Sequence, residues 1–439
     1  MREYPIDKVL KPLDRFIRNE SAGGLVLFLS AAVAVFLANS PWQEAYREIW
    51  HHTVGVRIGQ FIFERDLLHV INDGLMAVFF FMVALELKRE FIGGEMRGAN
   101  AALPVAASVG GMLLPALIFL AVNAFQGEAV RGWGITLGTD TAFVLGLLAL
   151  LGRRVPPAIK AFFIAVAVID DIASVSVIAL FYTSDLSMAN LGIGALFLLT
   201  LLAMNLLGVR NMTAYGTVAI AGVWLAFSLS GVHATVAGVL AAFTIPARTK
   251  MSGPSFTRKV RKLADDYDGI EDTPTALVSE EQMQVITKMK RVSAYAETPS
   301  QRLEQVLHPW SAFFILPLFA LANAGIELPQ SVAQAVREPV TLGVLLGLVL
   351  GKPLGLLGMA WLFVKMGWGR LGAGVNWMHM IAISILGGLG FTMAIFISDL
   401  AFTSELLRDQ AKLGILFASL TAGVAGTIVF LAAGRRAAG

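Results

Sequence analysis

Four ionisable side chains stand inside long apolar runs, where charge is expensive. Asp140 follows Leu137-Gly138-Thr139, Asp170 and Asp171 interrupt Ala165-Val166-Ala167-Val168-Ile169, and Lys352 follows Gly351. An Asp or Lys at the centre of a membrane helix costs about 2.5–3.5 kcal/mol, so these four, left unpaired, would cost on the order of 10 kcal/mol. A purely structural role does not explain that expense. Neighbouring residues on an α-helix project about 100° apart, so one of Asp170 and Asp171 can face a cavity while the other faces a helix. Lys352 is the cation set deep in a run, and pairing it with a carboxylate satisfies both charges. Burial and pairing together can bring such ionisations into the physiological range. A hard cation such as Na+ prefers oxygen ligands, and the carboxylate that holds it can hold a proton instead. Competition for one site gives antiport, provided the site alternates between the two sides when loaded and not when empty. Two proton-releasing groups would permit two protons per sodium and hence electrogenic exchange.

The elements that must position these groups are membrane helices. With 439 residues, 56% hydrophobic, 15% charged and a mean hydropathy of +0.70, the chain does not suit water. A span needs about 20 apolar residues, and a β-barrel would show short alternating segments instead. About twelve spans are expected, near 21–39, 67–87, 101–125, 132–152, 157–182, 188–207, 212–230, 232–246, 309–327, 339–367, 377–400 and 409–433. The net charge of +3 could suggest a nucleic-acid partner, but most of the 34 Lys and Arg residues lie in the tails and in the loops after even-numbered spans. Basicity is therefore an orientation signal that puts both termini in the cytoplasm, with Lys88, Arg89, Arg97, Arg153, Arg154, Lys160, Arg435 and Arg436 among its carriers. The charged, amphipathic opening predicts a surface segment over 1–20 and no cleavable signal peptide. Zero cysteines exclude disulfides and thiol chemistry.

The expected organisation is eight spans over 21–247, a polar cytoplasmic loop over 248–307, four spans over 308–433 and a cytoplasmic tail over 434–439. The loop opens with basic residues and carries an acidic patch, Asp265, Asp266, Asp268, Glu271 and Asp272, with a short helix at 277–292. It reads as a solvated linker or as a regulatory element; the spacing of a calcium-binding EF-hand is not met. Spans four and eleven are interrupted in corresponding ways, by Leu137-Gly138-Thr139-Asp140-Thr141 and by Gly387-Gly388-Leu389-Gly390-Phe391-Thr392. Spans three to five and ten to twelve then read as inverted copies, and a helix unwound at mid-depth needs a hydrated, protein-lined cavity. If the interrupted spans cross, Asp140 can neutralise the positive ends of half-helices and Thr139 can supply a hydroxyl oxygen. Gly343, Gly347, Gly351 and Gly355 make a smooth stripe beside Lys352 for close helix packing.

Asp73 with Asn72 marks the outer end of span two, and Glu86, Lys88, Arg89 and Glu90 its inner end. The inner cluster fits a membrane-edge anchor or a funnel that gathers cations and senses pH. His233 and His308 read as structural histidines near helix ends, and Asp399 as an interfacial residue.

The stretches Thr139-Asp140-Thr141-Ala142-Phe143, Ile169-Asp170-Asp171, Ser230-Gly231-Val232-His233-Ala234-Thr235, Leu307-His308-Pro309-Trp310 and Gly351-Lys352-Pro353-Leu354-Gly355 resemble the NhaA-type bacterial sodium/proton antiporters. The resemblance runs through nearly the whole membrane part, and the family is itself a known example of inverted repeats with broken helices. It implies an all-α fold of about 12 transmembrane helices with interrupted, crossing spans four and eleven. It also implies a place in the cell inner membrane, transport of Na+ or Li+ against H+ without a cofactor, and a homodimer joined by a β-hairpin around 45–65. By the same match Asp171 is the principal metal-binding carboxylate, and Asp170 a switching or proton-carrying partner of Lys352 that shares the metal site. Asp140 and Thr139 then lie at the helix crossing, Asp73 is a periplasmic-side acid, and Glu86, Arg89, Glu90 and Glu304 form the pH-regulatory cluster. Gln301 stands where the family pattern often has Lys, and the polar loop is longer than usual, so the family's pH threshold does not carry over to this chain. Two other readings are a sodium-coupled solute symporter with a similar core and an intramembrane aspartyl protease, whose Gly-x-Gly-Asp motif is absent.

Overall fold

A computed structural model of the chain describes residues 20–58, 61–94, 101–124, 127–183, 186–270 and 277–436. The expected surface segment over 1–20, apart from its last residue, lies outside them, as do Arg97, Glu271, Asp272 and the end of the tail. Nine helices among the described residues are long and apolar enough to cross a membrane. They are Leu67–Gly93, Ala102–Val122, Glu128–Leu151, Pro157–Phe181, Met188–Leu206, Pro299–Asn323, Pro339–Lys365, Trp377–Ala401 and Glu405–Ala433, at the positions of spans two to six and nine to twelve. In the place of span one, Ala22–Ala38 meets Gln43–His51 at 115°, a bent pair that makes a tenth if counted once. Spans seven and eight correspond to the shorter apolar helices Met212–Ser228 and Ala234–Thr244. By length and apolarity the count is thus nine or ten, against the twelve expected.

Burial sorts these helices. Span eleven is almost wholly enclosed, whereas little of span six is buried, with Leu196, Leu199 and Leu206 turned outward. A helix that is apolar all round and exposed on most faces is one that meets lipid. The core between the enclosed helices is closed by small residues. The glycine stripe of span ten packs on span three, with Gly343 over Phe119, Gly347 and Gly351 against Pro115, and Gly355 against the backbone of Gly110. A side chain at Gly110 or Gly355 would meet the other helix's carbonyl, so glycine there sets how near Lys352 comes to span three.

Both interrupted spans are broken at the expected places. Span four is a 3-10 helix over Glu128–Thr136, is unwound to Asp140, and resumes as an α-helix over Thr141–Leu151. Span eleven is helical over Trp377–Gly387 and again over Phe391–Ala401. The two breaks touch: the Asp140 N–H donates to the Leu389 carbonyl at 2.8 Å, and Gly138 lies against Met393. Among the described residues π-helical turns interrupt four more helices, at Val70–Leu75, Val218–Trp224, Ser311–Ile315 and Gly347–Gly351. Such turns insert a residue and re-aim the side chains around them.

Outside the membrane helices, Thr53–Ile58 pairs antiparallel with Phe61–Asp66, from Thr53↔Asp66 to Ile58↔Phe61. The first part of the stretch read as a hairpin is instead the helix Gln43–His51. The polar loop is more ordered than its composition suggested. It carries two helices, Gly253–Asp268 and Glu280–Ala296, the second opened by a capping box between Ser279 and Gln282. Their base is tied by the Lys250 N–H to the Tyr295 carbonyl at 3.0 Å and by the Lys250 ammonium 4.8 Å from the Tyr295 ring. The helix of span nine starts at Pro299 rather than near 308, because Thr298 accepts the Gln301 N–H at 3.2 Å and proline at the first helical position needs no N–H partner. Its first turns read as loop in sequence because they are too polar for a span, although Leu303, Val306, Leu307 and Trp310 recur at helical spacing.

The close approach of spans three and ten generates a stability prediction. Gly355→Val should overpack that contact and lower thermal stability in detergent by about 1–3 kcal/mol. Gly358→Val, at a position with open space around it, should leave the melting temperature nearly unchanged, and equal effects of the two would contradict the packing account.

Candidate functional site

The breaks in spans four and eleven create unpaired backbone groups, and Asp140 is their acceptor. It is the N-cap of the second half of span four, taking the Phe143 N–H on Oδ1 at 3.0 Å. On Oδ2 it takes the Thr392 N–H at 3.0 Å and the Thr392 hydroxyl at 2.6 Å, so it also serves the first turn of the second half of span eleven. One carboxylate thus faces the positive ends of two half-helices. Ser419, from span twelve, accepts the neighbouring Phe391 N–H at 3.2 Å.

Next to this junction Asp170 and Asp171 diverge as adjacent residues on one helix must. Asp170 is fully buried and saturated. Its Oδ1 accepts the Ser108 hydroxyl from span three, and its Oδ2 accepts the Thr139 hydroxyl at 2.8 Å and the Lys352 ammonium at 3.0 Å. Lys352, also fully buried, donates in addition to the Leu137 carbonyl at the frayed end of span four. Thr139 lies 3.3 Å from the Gly387 carbonyl, where the first half of span eleven ends. Spans three, four, five, ten and eleven therefore meet at one ion pair.

Asp171 faces the other way. It is 5% exposed, its Oδ1 has no hydrogen-bond partner among the described residues, and it lines a cavity of about 90 Å³ together with Thr139, Asp140, Glu86, His308 and Ser311. A buried, unpartnered carboxylate oxygen is costly in a protein interior, which marks it as a place for something that is bound and released.

At the end of span two, Arg89 bridges three carboxylates: Glu304 at 2.5 Å, Glu90 at 3.1 Å and Glu86 at 3.7 Å. Glu86 reaches the cavity, so this cluster adjoins the Asp171 site. Lys88 turns away and donates to the Phe243 and Ile245 carbonyls at the end of span eight, at 2.7 and 2.5 Å. Asp73 is not brought to the Asp171 cavity. It pairs with His69 at 3.0 Å and borders a separate cavity of about 50 Å³ with Arg65 and Trp224. Asp399, read from sequence as interfacial, stands near the end of span eleven and pairs with Lys412 of span twelve at 2.9 Å. Of the two histidines, His233 bonds the Tyr182 carbonyl at 2.8 Å, whereas His308 lines the cavity. Ser108 and Thr392 were missed as site residues. A serine among alanines and glycines carries no signal of what it faces, and Thr392 was visible only as part of an interruption.

Known proteins similar to this chain identify its family. The family model for Na+/H+ antiporter 1 matches residues 14–430. Curated relatives include the Na(+)/H(+) antiporter NhaA 2 of Syntrophotalea carbinolica, 43% identical over 97% of this chain and 98% of that protein. The Na(+)/H(+) antiporters NhaA of Oleidesulfovibrio alaskensis and Acidithiobacillus ferrooxidans are each 44% identical over 96% of this chain, covering 94% and 97% of their own lengths. With a family match along nearly its whole length and a buried carboxylate pair at touching helix breaks, the chain belongs to the Na+/H+ antiporter 1 family.

Proposed function

We propose that this chain exchanges Na+ or Li+ for H+ across the bacterial inner membrane, with Asp171 holding either the metal ion or a proton. The contrast between two adjacent carboxylates carries this reading: every oxygen of Asp170 is engaged, while Asp171 Oδ1 is buried, unpartnered and turned to the cavity. A carboxylate in that setting cannot rest as a bare anion at low cost, so occupation by Na+ or by H+ are its two stable states. Their mutual exclusion couples the fluxes. Alternating access follows if only the occupied site moves, which the paired half-helix ends of spans four and eleven support by holding the site on backbone that can shift as a unit.

Asp170 with Lys352 supplies a second proton-exchanging unit, since losing the ammonium's charge would break the pair. Two protons per cation make the cycle electrogenic. Arg89 with Glu86, Glu90 and Glu304 forms the pH-responsive mouth, because ionisations coupled through one guanidinium change together. The distribution of Lys and Arg supports cytoplasmic termini. The antiparallel pairing of Thr53–Ile58 with Phe61–Asp66, in the stretch that the family resemblance assigns to the dimer contact, supports a homodimer. Neither a symporter nor a protease suits the site as well. The cavity is too small for most organic solutes, and the oxygens of Asp140 are committed to helix ends and so cannot share a catalytic proton with Asp170.

Sodium-triggered proton release in everted vesicles, with no organic solute present, tests the reading. Asp171→Asn should abolish that release at every pH, and full exchange in this variant would refute the assignment. Lys352→Ala should change the charge moved per cation or the pH dependence. It should also destabilise the detergent-solubilised protein by about 3–5 kcal/mol, as expected when one partner of a buried pair is removed; unchanged electrogenic exchange would take Lys352 out of the mechanism.

A further inference from the structure

Asp171 alone makes a poor container for a hard cation, which seeks several oxygens. The cavity has other polar side chains, but most are spoken for. Asp140 serves the half-helix ends, Thr392 donates to Asp140, Thr139 donates to Asp170, and Glu86 pairs with Arg89. Two hydroxyls on the same wall are not engaged. Thr141 Oγ1 and Ser311 Oγ are buried without a hydrogen-bond partner among the described residues, as is Asp171 Oδ1, and all three residues line the one cavity. The hydroxyls of Ser174 and Thr235 are also unpartnered but do not belong to the cavity lining.

We infer that Thr141 and Ser311 are cation ligands, completing with Asp171 a three-oxygen site that sets the affinity and selectivity for the transported alkali ion. The inference rests on the reading of Asp171 as the exchanging carboxylate. The three residues come from three elements whose local geometry turns them to a common space. Thr141 is the first residue of the half-helix capped by Asp140, so its position is fixed by the break itself. Ser311 begins a π-helical turn just after Pro309 in span nine, and the extra residue of that turn re-aims its neighbours. Asp171 stands on span five. Hydroxyls are neutral, hard donors: they replace water around the ion without adding a charge that would hold it too tightly to be released. No group of three or more His, Cys, Asp or Glu side chains suited to a tightly held metal occurs among the described residues, in keeping with a cargo site of one carboxylate and neutral oxygens. Burying an unpaired hydroxyl costs free energy that only a ligand recovers. The site is thus poised to gain when the cation arrives.

The absence of protein partners gives the test two readouts of opposite sign. Thr141→Val and Ser311→Ala remove hydroxyls that bond nothing in the protein, so thermal stability without cation should be unchanged or higher. The apparent KM for Na+ in proteoliposomes, measured at one alkaline pH, should rise roughly tenfold for each, the scale of one lost contact to a charged group. The ratio of the KM values for Li+ and Na+ should shift as well, and Thr141→Ser and Ser311→Thr should restore both values. Wild-type KM values for both ions in both hydroxyl-free variants would overturn the inference, as would a KM rise that Thr141→Ser and Ser311→Thr share. Asp171→Asn separates the two levels. Lost exchange there with unaltered KM in the hydroxyl variants sinks only the ligand assignment, whereas retained exchange sinks the reading beneath it.

Discussion

The buried contact between Asp170 and Lys352 is the constraint around which the rest of this protein is arranged. Two opposite charges at 3.0 Å, neither reached by solvent, are tolerable only with further hydrogen bonds to both. Ser108 and Thr139 meet the carboxylate, and the Leu137 carbonyl meets the ammonium. Each of these comes from a different helix, or from a helix that had to unwind to provide it. The pair therefore dictates which spans lie next to one another and where two of them must break.

The breaks then impose their own requirement. A half-helix ending inside the membrane leaves backbone groups that lipid cannot satisfy, and Asp140 answers for both halves at once, with Ser419 beside it. This is why a third intramembrane carboxylate is tolerated without a cation of its own: its counter-charge is spread over N–H groups. The division of labour is electrostatic. Asp170 is held by an ammonium, Asp140 by helix ends, and Asp171 by no protein group among the described residues on one oxygen, the oxygen proposed to take the transported ion.

The glycine contact between spans three and ten supports the same centre from behind. Because Gly355 and Gly110 bring two backbones together, Ser108 on one helix and Lys352 on the other reach the same aspartate. At the mouth, Arg89 ties Glu86 of the cavity wall to Glu304 on the extended first turns of span nine. Those turns follow directly on the helix Glu280–Ala296, which packs with Gly253–Asp268 as a hairpin of two helices. Events at that hairpin and events at the cavity thus share one short stretch of chain.

Much of this was written in the residue order. Hydropathy set the membrane helices, because a run long enough to span a bilayer has few other places to go, and glycines with polar residues inside two such runs marked the breaks. Asp140, Asp170, Asp171 and Lys352 declared themselves by their cost at depth. The sequence was silent wherever a side chain is ordinary in itself and special only in what it faces. Ser108, Thr392, Thr141 and Ser311 are common residues in apolar company, and their partners lie tens to hundreds of positions away. Helicity could not say that Asp399 pairs with Lys412, that Asp73 stands apart from the Asp171 cavity, or that span nine begins at Pro299. A helix's own periodicity fixes what it shows on each face; which neighbour meets that face is decided by packing between distant segments, and only the folded arrangement contains that information.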